Sequence, residues 1–136
     1  MKATATYAPT KWDEKPYEQI SSDMKMTRAS VEFAFKGQME GQGLVEYLMF
    51  YNHVDESDPH KSEATYVGLI RFKGKLNDKA GSFVMEDRGA FKGRAAHSVL
   101  TIIPGSGTDA LKGIHGSGKY VATPKECQCD LTYELV

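Results

Sequence analysis

Between Leu44 and His53 the chain alternates in a way that leaves neither side of a strand polar. Val45, Tyr47, Met49 and Tyr51 fall on one face, and Leu44, Glu46, Leu48 and Phe50 on the other. A period of two fixes the segment as a strand. Two apolar faces mean that it must be covered on both sides. The economical solution is a sheet closed on itself, whose interior takes one face while loops or a partner chain take the other.

The remaining segments extend this pattern. Ala3 to Ala8 alternates, and Met24 to Lys36 places Val31, Phe33 and Phe35 opposite Arg28, Ser30, Glu32 and Ala34. Gly37 to Gly43 reads as a turn. Ala64 to Leu76 leads through Asn77-Asp78-Lys79 into Gly81 to Asp87, and a turn at Lys92-Gly93 leads into Arg94 to Ile103. After Pro104 and the polar turn at Gly105-Ser106-Gly107, Gly113 to Ala122 and Cys127 to Val136 complete the series. Short strands separated by turn residues predict an all-β fold, a closed antiparallel barrel of about eight strands. Gly68 and Gly74, inside a strand, suit the close backbone approach of a small barrel. Ser57 to Ser62 reads as a hairpin loop, so residues 1–136 form a single domain.

Composition excludes several function classes. With 17 basic and 18 acidic residues the net charge is −1, so no basic field exists for nucleic acid or an anionic membrane surface. The uncharged run Tyr47 to Tyr51 is far shorter than the roughly 20 residues of a membrane span. The first residues lack the apolar core of a signal peptide, and the expected location is cytoplasmic. Cys127 and Cys129 point to one face without meeting the geometry of a disulfide, and no further ligands stand near them for zinc. His53 to His60 gathers three carboxylates and two histidines without the spacing of a calcium loop, so it reads as a solvated hairpin. Neither a metal nor an organic cofactor is expected.

Several stretches resemble a family of uncharacterised small bacterial proteins. They are Trp12-Asp13-Glu14-Lys15-Pro16-Tyr17, Met26-Thr27-Arg28-Ala29, Glu46-Tyr47-Leu48-Met49, Tyr66-Val67-Gly68-Leu69, Gly81-Ser82-Phe83-Val84 and Pro104-Gly105-Ser106-Gly107-Thr108. That family's fold is similar to the calycin-like barrel of plant allene oxide cyclase. Gly105-x-Gly107, Leu111, Gly113, Gly116 and Tyr133-x-Leu135 resemble the cyclase's last strands. The cyclase closes an unsaturated fatty-acid epoxide in an apolar barrel with a first-strand glutamate and a steering cysteine. Before Asp13 the first strand here offers threonines, alanines and Tyr7, and Val45 or Glu46 falls where the cysteine would be. The resemblance therefore implies the barrel without that catalytic pattern.

The candidate chemistry lies on the central strands. Arg28 and Glu32 share a face with Ser30 between them, and Glu46 lies on the next strand. Turned inward, they form a polar cluster in an apolar cavity, with Glu46 and Arg28 as catalytic pair and Glu32 beside them. Turned outward, they form an ion-pair ladder. The inward register is the expectation, because a carboxylate among Leu44, Leu48 and Phe50 is costly unless paired or useful. Tyr47, Tyr51 and Tyr66 can line a pocket and offer hydroxyls, and His97 is a candidate base. Of the adjacent Glu86 and Asp87 at most one is internal. The expected function is binding of a small apolar molecule, extending to cyclase or isomerase chemistry. The alternative is a non-catalytic scaffold or interaction module. The two-faced strand predicts a homodimer or higher homo-oligomer.

Overall fold

The computed structural model describes residues 1–136 and is almost entirely β. Nine strands follow one another: β1 (Lys2–Gln19), β2 (Lys25–Gly37), β3 (Met39–His53), β4 (Glu63–Leu76), β5 (Lys79–Lys92), β6 (Ala95–Ile102), β7 (Thr108–Asp109), β8 (Ile114–Ala122) and β9 (Cys127–Leu135). The one helical element is a 3-10 turn at Pro59–Lys61. No helix is long and apolar enough to cross a membrane.

All strand pairs are antiparallel, and their bonding runs in a ring. The order β4-β3-β2-β1-β9-β8-β6-β5 closes when β5 pairs back onto β4, while the short β7 adds to β5 from outside the circuit. Most neighbours in the ring are hairpins. The exception that joins distant sequence is β1 with β9, in register from Lys2↔Thr132 to Thr6↔Gln128. Beyond Thr6, β1 leaves β9 and continues to Gln19 on β2 alone, forming an arm with bulges beside Pro9 and Pro16. Prolines and bulges suit a strand edge that has no second partner.

Alternation carries one face of each ring strand inward, with β7 and the outer half of β1 exposed. Val31, Phe33 and Phe35 of β2 meet Val45 and Tyr47 of β3, Ile70 and Phe72 of β4, and Phe83 and Met85 of β5. Leu100, Ile114, Leu131 and Tyr133 fill the space from the other side. At about 25 cal/mol per Å², burying each large side chain contributes about 1.5–3 kcal/mol.

The strands differ from the sequence reading at two places. β1 extends to Gln19, well past Ala8, because its second half pairs with β2. The stretch read as a turn at Gly37 to Gly43 is mostly strand, with β3 starting at Met39. Its glycines serve strand contact instead: a Cβ on Gly41 would lie 2.2 Å from the Lys73 carbonyl oxygen, directly across from Gly74.

The inward expectation for the charged cluster is overturned. Val45 and Tyr47 are buried, so Leu44, Glu46 and Leu48 face out. Arg28 and Glu46 meet on the outer surface at 2.8 Å, with more than half of each side chain exposed. The register of β3 on β4 decides this, because Glu46 opposes outward Leu69 while Tyr47 opposes Gly68. Glu32 is half-buried on the same outer face, and His97 is exposed on β6 between inward Ala96 and Ser98.

Candidate functional site

Four strands, β3 to β6, build the centre of the site by the same device, used twice. Across β3, β4 and β5, Tyr47 opposes Gly68 and Gly68 opposes Asp87. The missing side chain at Gly68 lets the Tyr47 ring lie across it, since a Cβ there would sit 2.8 Å from Tyr47 Cδ1. The Tyr47 hydroxyl thereby reaches over β4 and donates to Asp87 Oδ2 at 2.5 Å. One strand further, Tyr66 opposes Gly89, and Gly89 opposes Ser98. The Tyr66 hydroxyl and Ser98 Oγ are 2.6 Å apart. A Cβ on Gly89 would fall 2.7 Å from that tyrosine hydroxyl.

Tyr120 of β8 completes the cluster. Its hydroxyl lies 2.8 Å from that of Tyr47, and its ring centroid is 5.1 Å from that of Tyr7 on β1. Tyr47 and Tyr66 meet edge to face with centroids 5.2 Å apart. Asp87 is fully buried. Burial raises its carboxyl above the ordinary aspartate value, and the hydrogen bond from Tyr47, with the Ser98 and Tyr120 hydroxyls nearby, draws it part of the way back. Burial likewise raises the phenols, reinforced at Tyr47 by the Asp87 charge and at Tyr120 by Tyr47 and Asp87. Two buried polar atoms have no protein partner: Asp87 Oδ1 and the Tyr7 hydroxyl.

Above this cluster lies a cavity of about 440 Å³. Thirteen of its 16 lining residues are hydrophobic and none is lysine, arginine, aspartate or glutamate, so its wall carries no fixed charge. Tyr7, Tyr47, Tyr66 and Tyr120 form the buried inner part, while Trp12 and His60 mark the exposed rim. Half-buried Tyr51 stands between them and donates to Glu14 Oε2 at 2.6 Å. Burial, then the Glu14 carboxylate, raises the Tyr51 phenol. Glu14 also accepts from Thr27 Oγ1 at 2.7 Å and from Trp12 Nε1 at 2.9 Å, pinning the β1 arm across the mouth. Cys127 reaches the cavity half-buried, and Cys129 lies deeper, pushed up to about 12 mainly by burial.

The sequence-predicted residues thus divide. Tyr47, Tyr51 and Tyr66 come together at the cavity. Arg28 and Glu46 line a solvent-open outer groove of about 460 Å³ with Leu48, Val67, Leu69 and Glu86. There Ser30 and Arg28 hold the Glu46 carboxyl below its usual value. Glu32 lines a neighbouring outer groove with Lys11 and Asp13. His97 belongs to neither the cavity nor these grooves.

Tyr120, Tyr7 and Glu14 carry no role in the sequence reading, and Asp87 enters it only beside Glu86 as a pair of which at most one is internal; Asp87 is the buried one. The pattern Phe83-x-Met85-x-Asp87 was the available signal, a lone carboxylate on an otherwise apolar strand face. Glu14 carried none, since β1 was read as ending before it.

The acidic loop is a turn tied to neighbouring segments. Asp55 accepts from Ser57 and Asp58, Asp58 pairs with Arg94 at 2.7 Å, and His53 pairs with Asp23 at 3.1 Å. No group of three or more His, Cys, Asp or Glu side chains is placed to hold a metal ion.

Comparison with known proteins gives a family without an activity. None of the curated proteins matches the chain. The crystal structure of a protein of unknown function from Shewanella oneidensis MR-1, of the DUF3224 family, is similar over 100% of this chain and 98% of its own. Its TM-score is 0.75 at 21% identity, a likeness of fold. The model of the same family, described as a protein of unknown function, matches residues 3–133. The chain therefore belongs to the DUF3224 family.

Proposed function

We propose that the closed ring is an allene-oxide-cyclase-like barrel that binds a small apolar molecule in its open-ended cavity. The observation that carries this reading is the uncharged aromatic wall around about 440 Å³, within the range of about 300–1,000 Å³ common for small-molecule sites. A ring of this size filled by its own side chains would leave no such space. The Tyr47–Asp87–Tyr120 cluster supplies the few convergent polar groups that orient a ligand in an apolar site. Beside it, the unpartnered Tyr7 hydroxyl would polarise an oxygen in a cyclisation or isomerisation. Two thiols without a disulfide suit a reducing compartment such as the cytoplasm.

The test is binding of Nile red, a neutral apolar dye, to the purified protein and to Ala96→Phe, which places a ring in the cavity wall. Dye emission should rise with the parent protein and fall away with the variant. Absence of dye binding, together with native mass spectra that contain no retained small molecule, refutes the reading.

A second reading rests on a different surface. Leu48, Val67 and Leu69 are exposed side by side on β3 and β4, with Val99 further round on β6. This stripe suits self-association as a homodimer or a higher scaffold. Light scattering of the parent and of Leu69→Lys tests it. A monomer at tens of micromolar, on the order of the concentration that populates a stable interface, excludes it.

A further inference from the structure

We propose that the cavity's ligand is an uncharged carbonyl compound, an apolar ketone, aldehyde, ester or enone, whose oxygen accepts a hydrogen bond from the Tyr7 hydroxyl. This deepens the cavity-binding reading and rests on it. The first observation is that Tyr7 lines the cavity, is 7% exposed, and has a hydroxyl with no protein partner. A buried hydroxyl left unsatisfied is costly, and native structures pair such groups unless something else answers them.

The neighbouring hydroxyls are already committed. Tyr47 donates to Asp87, Tyr120 meets Tyr47, and Tyr66 meets Ser98. Tyr7 is therefore the one hydroxyl of the cluster with no partner at all. Burial raises the phenol above its ordinary value, so it stays protonated at neutral pH and has a proton to donate.

The charge of the wall selects the head group. An anionic head would be stripped of water with no lysine or arginine on the wall to pair with it. A cationic head would find no free carboxylate: Asp87 lies behind Tyr47 and is held toward its neutral form, and Glu14 at the mouth is already bonded to Tyr51, Thr27 and Trp12. An uncharged oxygen avoids both costs. A carbonyl oxygen also brings no proton of its own to be satisfied in an apolar site. Ring packing fixes the donor's position, since Tyr7 lies edge to face with Phe33 at 5.2 Å and against Tyr120 at 5.1 Å. Such a donor is preorganised.

The experiment compares methyl nonyl ketone, undecane and undecanoate at neutral pH, read by the emission of Trp12, the one tryptophan and a residue of the cavity rim. The ketone should bind about tenfold more tightly than the alkane, the worth of one buried hydrogen bond. Undecanoate should bind more weakly than the ketone. Tyr7→Phe, which keeps the ring, should remove the ketone's advantage and leave undecane unchanged. The ranking in the parent protein is informative even if the variant folds poorly. Equal binding of ketone and alkane, or undecanoate binding most tightly, overturns the carbonyl proposal and leaves the cavity reading standing. Failure of all three compounds to bind overturns both.

Discussion

Replacing Gly68 with alanine tests how the site is held together. The added Cβ would lie 2.3 Å from the Glu46 carbonyl oxygen and 2.8 Å from Tyr47 Cδ1, where carbon contacts are comfortable only near about 3.5–4.0 Å. The carbonyl belongs to the β3–β4 ladder and cannot swing away, so the Tyr47 ring must move. Overpacking of this kind costs about 1–3 kcal/mol. Displacing the hydroxyl also strips a donor from buried Asp87, a further cost of about 1–3 kcal/mol. Alanine returns about 0.5–1 kcal/mol through the smaller entropy of its unfolded chain. The expected net loss is about 3 kcal/mol. For 136 residues, at about 2.1 cal/mol/K each, this lowers the melting midpoint by about 10 °C. Urea unfolding of the parent, Gly68→Ala, Tyr47→Phe and the double variant completes the assay. If the alanine acts by parting Tyr47 from Asp87, the double variant loses less than the two single changes together. Strict additivity, or a loss below about 1 kcal/mol for Gly68→Ala, refutes this reasoning.

Three further outcomes are expected. Asp87 has a folded pKa raised above 3.8, so its favourable contribution is full below the unfolded value and is lost as pH climbs through the folded one. Asp87→Asn, neutral throughout, should therefore flatten the decline in stability above about pH 4, and urea midpoints that keep the parent's decline would count against it. Glu46→Gln breaks only a solvent-exposed pair with Arg28, so stability should change by less than about 0.5 kcal/mol and Nile red affinity not at all; a loss of dye binding would restore that pair as part of the site. In the native protein at neutral pH, Cys129 should resist alkylation while half-buried Cys127 reacts slowly and is shielded by a cavity ligand, as peptide mass spectra would show; equal labelling of both thiols would be the contrary result.

Strand character was readable wherever one face was clearly apolar. On β2 the alternation marks the strand, but its facing is the reverse of the inward Arg28 and Glu32 expected: Val31, Phe33 and Phe35 are the buried set. The same reversal holds on β3, where Leu44, Leu48 and Phe50 compete with Val45, Tyr47, Met49 and Tyr51. Local hydrophobicity is nearly balanced there, and pairing with β4 breaks the tie by bringing Tyr66, Ile70 and Phe72 to the interior. One residue of register moved Glu46 and Arg28 from the expected interior to the outside. The tyrosines at the cavity survived the error because Tyr47 and Tyr51 were considered alongside the other face. The long β1 was hidden by Pro9, Thr10 and Asp13, residues that mark loops when read singly but sit on a bulged edge when β2 supplies a partner.

The seam between β1 and β9 has a kinetic meaning. The hairpins around the ring can form from neighbouring sequence, each closing a short loop. Matching Ala5 with Cys129 instead requires almost the whole chain to be ordered first, a contact of very high sequence separation. Without that seam the sheet would be an open ribbon with Tyr7, Tyr120 and Asp87 facing water. The final closing event in folding and the creation of the ligand cavity are then one step, and a ligand that waits for the cavity slows unfolding without hastening folding.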